Sequence, residues 1–590
     1  MSLIDELRKI ICEVIKDNGY CIHLDENDIL NFSDRPDLSQ FQSNFALKIA
    51  KLYKKNPREI AIDIQKELLK KSFFSKVSVD GPGFININVS DEYLVNFINE
   101  MSKSTNFGIK TKKKLKIVID YGGANVAKPL HVGHLRSAII GEGLKRLAKL
   151  LGHDVISDVH LGDWGRQMGM VISEIKKMYP NLPYFDENYL GDYPAESPVT
   201  IEELEKIYPK ANLDCKNDEA RMEEARDATS ILQDKNRLEH RGYYALWKHL
   251  IRISVNDLKG IYGRLGVTFD LWNGESDSYS VITEVLSLLN EQKLAEYSDA
   301  TLIMNVADES DSKEMPPIIL RTKNNTYGYQ ATELATMYQR IKNYNPDEIL
   351  YVVDKRQELH FKQCFRAAYK SKIVPENVKL QFLGFGTMNG KDGKPFKTRD
   401  GGVMKLVDLL DLVKKHEINM MNNSYSKDEI NEISEIISQG CIKFADAVSN
   451  RETDYIFDID KFTNVNGKTG AYILYSTVRI NSVLNNAIIK KMNIDGSLIL
   501  PESEIERKLL LTISNVSSVI YNAYNNKSLN VLAEYLYDLN SIYGNFYNNF
   551  KILTEENVEK RESWLKLSLI VKNINGMLLD CLAMQIPNKI

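Results

Sequence analysis

The chain has 590 residues, of which 43% are hydrophobic and 26% are charged, and its formal net charge is −4. This composition is typical of a folded globular protein and excludes a largely disordered chain, which would combine low hydrophobicity with high net charge. It also lacks the large basic excess that marks many nucleic-acid-binding proteins, although local basic patches can still bind phosphates. A chain of this length predicts three or four domains.

Neither the cysteines nor the N-terminus indicates export or a membrane anchor. The six cysteines form no CxxC pair, and their spacing matches neither a disulfide framework nor a zinc site, so no protein-bound metal is expected. Charged residues interrupt the apolar core that a signal peptide requires: Asp5, Glu6, Arg8 and Lys9. No run of about 18 apolar residues occurs. We therefore expect a cytoplasmic protein without a membrane segment.

Residues 1–108 are predicted to form a small α+β domain. Apolar residues recur at helical spacing from Leu3 to Ile15, and a second helix is predicted near residues 44–50. In residues 84–89 apolar and polar side chains alternate, which predicts a strand with one buried face. The basic stretch 110–116 is interpreted as a solvated linker, with a phosphate-binding patch as the alternative.

Residues 109–390 are predicted to form a Rossmann-like α/β domain with a parallel sheet. Residues 116–120 are a short apolar run of the kind found in buried parallel strands. A glycine-containing loop follows, then a helix that begins near His131, and then a strand at 154–159. Strand, glycine loop, helix and strand are the first unit of a doubly wound sheet.

The remaining segments are predicted to be mostly helical. Residues from about 175 to 260 are charged and are expected to form a helical insertion in the α/β domain. Further strands are predicted at 300–305, 318–321, 348–354 and 378–384. Residues 391–448 contain a basic loop followed by connecting helices, and residues 449–590 are expected to be an all-α domain.

The segment His131-Val132-Gly133-His134 lies where a loop meets a helix N-terminus. A helix N-terminus offers unpaired N–H groups and a partial positive charge, both of which suit phosphate. Two imidazoles at this position can donate hydrogen bonds to phosphate oxygens, and the glycine lets a flat base approach the backbone. By itself, the motif leaves open that the histidines only cap the helix.

The stretch DYGGANVAKPLHVGHLRSAIIG resembles the signature of class I aminoacyl-tRNA synthetases, and specifically of the arginine enzymes. Similar blocks follow in the family's order along nearly the whole chain: HLGDWGRQMG, GES, YGYQATELA, VDKRQELHF, DGKPFKTRDGG, SNRETDYIFDID and AYILYSTVRI. The resemblance implies activation of L-arginine with ATP and its transfer to tRNA(Arg). It also implies that Mg²⁺ enters with ATP, and we expect a monomer.

For ATP binding and catalysis, the resemblance implies these residues: Lys128, His131, Gly133, His134, His360, Lys394 and Lys397. Residues 394–399 correspond to a lysine-containing loop that holds pyrophosphate in class I enzymes, and they depart from its KMSKS consensus. In arginine enzymes a lysine just before the histidine motif substitutes, and Lys128 has that place. Which of Lys394, Lys397 and Arg399 contacts pyrophosphate stays open, and a basic surface turn is the alternative.

Arginine recognition needs carboxylates, because a guanidinium pairs best with bidentate acceptors. The resemblance assigns Glu275, Tyr329 and Glu333 to the guanidinium, although many relatives have Asp at the last position. It assigns to the α-amino and carboxylate groups the residues Asp120, Asn125 and Gln357. Asp163 and Trp164, in LGDWG, are interpreted as part of a structural turn, and His160 is left between a structural and a functional role.

The all-α domain is expected to bind the anticodon, and residues 1–108 the outer corner of the tRNA near its D-loop. RNA loops are recognised by stacking bases on aromatic or guanidinium faces, and the candidates are Tyr472, Tyr475, Arg479, Tyr537 and Tyr543. A place in the helical core is the alternative for several of them, including Tyr472. A helical bundle used for dimerisation is the alternative for this region. For the whole chain, the alternatives are a nucleotidyltransferase with the same histidine motif and a non-catalytic synthetase-like binding protein.

Overall fold

The computed structural model describes residues 2–20, 26–35, 37–111, 113–234, 239–324, 326–394, 396, 404–421 and 425–590. The chain divides into two compact units. The first unit consists of Met1–Thr111, Asn464–Asp580 and Gln585–Ile590. The second unit consists of Lys112–Thr463 and Cys581–Met584.

An antiparallel sheet and five helices form the N-terminal part of the first unit. The strands are β1 (Asn31–Phe32), β2 (Phe41–Ser43), β3 (Phe74–Asp80) and β4 (Phe84–Val89), in the order β1-β2-β4-β3. The helices are α1 (Leu3–Asp17), α2 (Glu26–Ile29), α3 (Phe45–Tyr53), α4 (Pro57–Leu68) and α5 (Asp91–Met101). Ser2 and Asp5 form a capping box that begins α1. The predicted α+β character, the first helix and the strand at 84–89 are confirmed.

The described residues of the second unit form nine strands. They are β5 (Lys116–Asp120), β6 (Asp154–Asp158), β7 (Ala295–Ser298), β8 (Thr301–Met304), β9 (Ile318–Arg321), β10 (Glu348–Asp354), β11 (Lys379–Phe385), β12 (Met388–Asn389) and β13 (Tyr455–Ile456). Four of them form a fully parallel sheet in the order β11-β10-β5-β6. The buried run Ile117, Val118 and Ile119 in β5 explains this position, because strands of parallel sheets are covered on both faces.

Two predicted strands, β8 and β9, lie outside the parallel sheet. Together with β7 they form a separate antiparallel sheet in the order β7-β8-β9. In β8 buried and partly exposed residues alternate, so one face of this sheet packs on the core while the other meets solvent. Leu302, Met304, Ile318 and Leu320 provide that packed face.

The helices of the second unit cover the parallel sheet and extend beyond it. They are α6 (Leu135–Leu150), α7 (Arg166–Met178), α8 (Ile201–Asn217), α9 (Glu219–Leu232), α10 (Arg241–Arg264), α11 (Tyr279–Glu291), α12 (Tyr329–Tyr344), α13 (Glu358–Lys370), α14 (Leu406–Met420), α15 (Lys427–Ala447) and α16 (Ile459–Phe462). The segment expected to be a helical insertion contains α8 and α9 and most of α10.

Five helices complete the first unit. They are α17 (Gly470–Ile489), α18 (Glu504–Ser514), α19 (Val516–Asn525), α20 (Asn530–Asn549) and α21 (Val558–Cys581), whose last residue belongs to the second unit. The predicted helical character of the C-terminal region is confirmed, although the range 449–590 also contains the short strand β13. Within the described ranges, no helix is long and apolar enough to cross a membrane.

The carboxyl edge of the parallel sheet carries a row of acidic residues. Asp120 ends β5, Asp158 ends β6 and Asp354 ends β10, and Asp120 is in register with Asp158. In open α/β sheets ligands bind outside this edge. This edge is therefore the expected position of a ligand-binding site.

Candidate active site

The histidine motif forms a tight turn that leads directly into α6. Residues Val132–His134 form one turn of 3-10 helix, and α6 begins at Leu135. The backbone N–H of Gly133 donates to His131 Nδ1 at 3.1 Å, and the backbone N–H of His131 donates to His134 Nδ1 at 3.1 Å. The two imidazole rings lie 3.9 Å apart, centre to centre. The turn therefore fixes both rings through their Nδ1 atoms.

This hydrogen bonding determines which proton each imidazole carries. An Nδ1 that accepts an N–H bond cannot be protonated, so the proton of each neutral ring is on Nε2. Burial, with the charges of Lys128 and Arg356, lowers the pKa of His131 to about 4. Burial, with His131 and Lys128, lowers the pKa of His134 to about 3. Both rings are thus neutral Nε2–H donors near neutral pH, which suits hydrogen bonding to phosphate oxygens.

Lys128 lies beside these histidines and contributes to their lowered pKa values. Its ammonium is 5.7 Å from the ring centre of Tyr208 on the insertion helix α8. Burial lowers the pKa of Lys128. Among the described residues, no carboxylate forms a salt bridge with it. Its charge is therefore available to an anionic ligand.

The segment after the basic loop pairs with the histidine motif. The backbone N–H of Val132 donates to Met404 O at 3.1 Å, and that of Leu406 donates to Leu130 O at 2.9 Å. Before the loop, Lys394 lies in a turn in which its carbonyl accepts from Gly390 N at 2.8 Å. Lys397, the second lysine expected to contact ATP, lies outside the described residues, as do Thr398 and Arg399.

Glu275 and Tyr329 face the same point in front of Gly165. A Cβ atom on Gly165 would lie 3.4 Å from the Tyr329 hydroxyl and 3.8 Å from Glu275 Oε2. Burial raises the pKa of Glu275 to about 7, and the charges of Asp163 and Glu333 act in the same direction. The structure therefore brings together two of the expected guanidinium-binding residues at a glycine that leaves space between them.

Glu333 lies one turn after Tyr329 on α12 and faces the same group of carboxylates. Its charge raises the pKa of both Glu275 and Asp120. Its Oε1 atom is buried and has no hydrogen-bond partner in the described part of the chain. A buried carboxylate oxygen without a donor is costly. This arrangement suits a cationic ligand that brings its own N–H groups, as a guanidinium does.

Three further residues expected at the site lie near the carboxyl edge of the parallel sheet, but no single hydrogen-bond network joins them: Asn125, Gln357 and His360. The Asn125 side chain covers Gly162, where a Cβ would lie 2.1 Å from Asn125 Oδ1. Gln357 is exposed at the start of α13. His360 Nε2 lies 3.8 Å from Cys364 Sγ. In the described ranges no hydrogen bond connects Gln357 or His360 with Asp120.

Two residues of the site were not predicted as functional: Asp163 was interpreted as structural, and Arg340 was assigned no role. Asp163, interpreted as part of a structural turn, accepts hydrogen bonds from Ser276 N at 2.9 Å and Ser276 Oγ at 2.6 Å, next to Glu275. Arg340 donates to both Asp120 and Asp158. Asp163 and Ser276 are in two motif blocks that the sequence identified, but their separation of 113 residues concealed the contact. Trp164 is buried, as a structural role requires.

Tyr475 and Arg479 form an exposed pair on α17. Arg479 Nη2 donates to the Tyr475 hydroxyl at 2.8 Å, and its guanidinium also lies 5.5 Å from the ring centre of Tyr547. The Tyr472 and Tyr537 rings lie 5.6 Å apart. Tyr543, also expected to stack on a base, is instead 2% exposed and donates to Ser568. Its place in the helical core excludes base stacking.

No group of three or more His, Cys, Asp or Glu side chains is placed to hold a metal ion in the ranges that the structure describes. The groups around the histidine motif are imidazole N–H donors, the Lys128 ammonium and the Arg356 guanidinium. These groups suit the oxygens of an anion. They are not ligands for a hard cation such as Mg²⁺, which prefers oxygen atoms.

The parallel sheet, the histidine turn and the helical C-terminal region together define a class I aminoacyl-tRNA synthetase. The profile described as "tRNA synthetases class I (R), catalytic domain" matches residues 97–459. "Arginyl tRNA synthetase N terminal domain" matches residues 5–89, and "DALR anticodon binding domain" matches residues 473–590. The chain belongs to the arginyl-tRNA synthetase family.

Curated relatives and solved structures match this chain over all or nearly all of its length. The chain is 47% identical over 590 residues to an arginine–tRNA ligase of Alkaliphilus oremlandii, covering 100% of this chain and 99% of the relative. It is 40% identical over 567 residues to one of Francisella tularensis, covering 94% and 95%. The arginyl-tRNA synthetase structure from Plasmodium falciparum matches with a TM-score of 0.80 at 26% identity, covering 100% and 99%. The Thermus thermophilus structure shares the fold, with a TM-score of 0.75 at 18% identity over 100% of both chains.

Proposed function

We propose that this chain ligates L-arginine to tRNA(Arg) in the cytoplasm, as a monomer, through an arginyl-adenylate. In the first step, an oxygen of the arginine carboxylate attacks the α-phosphorus of ATP, and the bond to the pyrophosphate oxygen breaks. In the second step, a ribose hydroxyl at the 3′ end of the tRNA attacks the carbonyl carbon, and AMP leaves. Mg²⁺ enters with ATP, bound to phosphate oxygens, and supplies positive charge there.

The observation that carries this proposal is the contrast between two parts of one domain. Glu275 and Glu333 make an acidic, largely buried pocket with no lysine or arginine salt-bridged to either carboxylate among the described residues. His131, His134 and Lys128 present N–H donors and positive charge. A reaction that joins a carboxylate to ATP needs donors at the phosphates, and an arginine substrate needs carboxylates at its guanidinium.

On the ATP side, His131 and His134 donate their Nε2–H groups to phosphate oxygens. Gly133 gives the adenine ring access to the backbone, and a Cβ there would lie 2.8 Å from the His131 ring. Charge that develops on pyrophosphate is matched by Lys128 and by the basic loop, in which Lys394, Lys397 and Arg399 are the candidates. His360 binds close to the adenosine.

On the arginine side, Glu275 and Glu333 accept hydrogen bonds from the guanidinium, and the Tyr329 hydroxyl adds a third polar contact. Asp120 receives the α-ammonium group. Asn125 and Gln357 orient the α-amino and carboxylate groups so that a carboxylate oxygen faces the α-phosphorus. Orientation of this kind supplies much of the rate enhancement when two substrates react.

The remaining domains bind the tRNA. Residues 109–390 contain the reaction site, with the insertion at about 175–260, and residues 391–448 supply the lysine loop and connecting helices. Residues 449–590 read the anticodon, with Tyr475 and Arg479 as stacking surfaces. Residues 1–108 contact the tRNA near its D-loop. A helical C-terminal region with an exposed tyrosine–arginine pair supports this division.

ATP–pyrophosphate exchange tests the proposal. We expect exchange that depends on both arginine and tRNA(Arg), because the arginine enzymes resemble the glutamine and glutamate enzymes in requiring tRNA to complete the site. Exchange without arginine would indicate a nucleotidyltransferase. No exchange under any condition would indicate a binding protein. Strong exchange with arginine but without tRNA would contradict the tRNA requirement alone.

A further inference from the structure

Arg340 lies on the same face of α12 as the residues assigned to the guanidinium. Tyr329, Glu333, Thr336 and Arg340 are spaced by four, three and four residues, which places them on one side of a helix. The helix rises about 10 Å between Glu333 and Arg340. This distance is on the scale of an extended arginine, so one helix face reaches both ends of the expected substrate.

Arg340 joins two carboxylates at the carboxyl edge of the sheet. Its Nη2 atom donates to Asp120 Oδ2 at 2.7 Å and to Asp158 Oδ2 at 2.9 Å. Asp120 and Asp158 are neighbours in register on β5 and β6, and Arg340 is 3% exposed. Two buried carboxylates this close repel each other unless a cation lies between them. Arg340 supplies that cation.

The Asp158 and Asp120 carboxylates have different surroundings. His160 Nδ1 lies 3.7 Å from Asp158 Oδ2. Burial lowers the pKa of His160, but Asp158 and Asp120 outweigh this effect and raise it to about 9. Asp158 therefore has two cations close by. Asp120 forms a salt bridge only with Arg340 among the described residues, and burial raises its pKa while the charges of Arg340 and His160 act in the opposite direction.

Polar atoms without partners lie around this group. Arg340 Nη1 and Glu333 Oε1 are buried and have no hydrogen-bond partner among the residues that the structure describes. Asp120 Oδ2 is engaged by Arg340, while its Oδ1 accepts no hydrogen bond within those same ranges. Buried polar atoms without partners are rare in a folded protein. Glu333 Oε1 and Asp120 Oδ1 are acceptors that a ligand with N–H groups at both ends would satisfy.

We propose that Arg340 is a positioning residue for arginine binding, which holds Asp120 through Oδ2 so that Oδ1 receives the α-ammonium group of the substrate. The proposal rests on the proposed function, in which Asp120 receives this group. Arg340 does not contact the substrate in this scheme. It acts through the orientation and the charge of Asp120, whereas Glu275 and Glu333 act directly on the guanidinium at the other end.

Two ligands separate this role from a general effect on the pocket: arginine, and 5-guanidinopentanoate, which is arginine without the α-amino group. Binding to the full-length chain is measured by titration calorimetry. For Arg340→Gln we expect a ten- to hundredfold loss of arginine affinity, the usual range for a hydrogen bond to a charged group. The affinity for 5-guanidinopentanoate should change by less than about threefold. Arg340→Lys keeps the charge and should restore part of the arginine affinity.

Arg366→Gln is the matched control, because Arg366 pairs with Asp311 outside this group and should leave both affinities unchanged. In an Asp120→Asn background, Arg340→Lys should add less than about threefold to the loss of arginine affinity. If Arg340→Gln does not fold, Arg340→Lys is measured in its place. It should lose more affinity for arginine than for 5-guanidinopentanoate.

Equal losses for the two ligands would overturn the proposal, because Arg340 would then only shape the pocket. Unchanged affinities in both Arg340 variants would overturn it too, as would a full additional loss in the Asp120→Asn background. Charging of tRNA by the wild-type chain distinguishes these results from a failure of the proposed function. If the wild-type chain charges tRNA(Arg) with arginine and the Arg340 variants give any of these results, only the present inference fails.

Discussion

Glu275→Gln is expected to weaken arginine binding severely and, at the same time, to stabilise the unliganded protein at alkaline pH. Glutamine has nearly the same size and shape but cannot carry a negative charge. Glu275 lies in a buried pocket beside Asp163 and Glu333, and burial raises its pKa to about 7. The charge that serves the ligand therefore costs stability when the pocket is empty.

The size of both effects follows from the structure. A glutamate whose pKa rises from 4.5 to about 7 on folding destabilises the folded state by about 3 kcal/mol at pH 8. The effect is destabilising, because the folded state binds the Glu275 proton more tightly than the unfolded state and deprotonation therefore costs it more free energy. The penalty is absent below pH ~4.5, where both states are protonated, and complete above pH ~7. Loss of one partner of a buried ion pair costs about 3–5 kcal/mol, which corresponds to about 10²- to nearly 10⁴-fold in arginine affinity.

Thermal or urea unfolding of the free protein at pH 5 and pH 8, with arginine titrations at pH 8, measures both effects. The variant should be more stable than wild type by about 3 kcal/mol at pH 8 and by less than about 1 kcal/mol at pH 5. Glu291→Gln is the control, because Glu291 is exposed at the end of α11. Equal stability of Glu275→Gln and wild type at pH 8, or arginine binding at wild-type strength, would refute the reasoning.

Three further predictions concern single side chains. Lys128→Ala should lower kcat about 10²- to 10³-fold with little change in the KM for arginine, because the lysine acts on charge that develops in the transition state; steady-state kinetics with an unchanged kcat would contradict this. Glu333→Gln should weaken arginine binding and leave ATP binding nearly intact, which paired titrations check. Tyr475→Ala and Arg479→Ala should raise the KM for tRNA(Arg) and reduce discrimination against anticodon-substituted tRNA; folded variants that charge both tRNAs as wild type does would exclude these residues from anticodon reading.

Local patterns predicted much of the fold and the position of the histidine motif at the start of a helix. The strand at 116–120, the turn at His131 and the start of α6 follow one another within a short stretch, so apolar runs and a motif were sufficient. The helical C-terminal region was predictable for the same reason. The antiparallel sheet β7-β8-β9 was not, because short strands with similar apolar content do not specify which sheet they join.

Contacts between distant segments could not be predicted. Arg340 is 220 residues from Asp120 and 182 from Asp158, and nothing in the local pattern of α12 distinguishes it from an arginine on a helix surface. The choice between base stacking and core packing for Tyr543 could not be made from the sequence for a related reason. A tyrosine in an amphipathic helix can face solvent or core, and only the packing of α20 on its neighbours decides which.

The ratio of kcat/KM for arginine to that for citrulline, measured by charging of tRNA(Arg), tests the central claim most directly. Citrulline has almost the shape of arginine but replaces the guanidinium with a neutral urea group. A pocket built from buried carboxylates should reject it by about 10³-fold or more, because those carboxylates would be left without a cation. Comparable use of the two amino acids would contradict an acidic pocket as the basis of specificity, and so would an absence of charging with arginine.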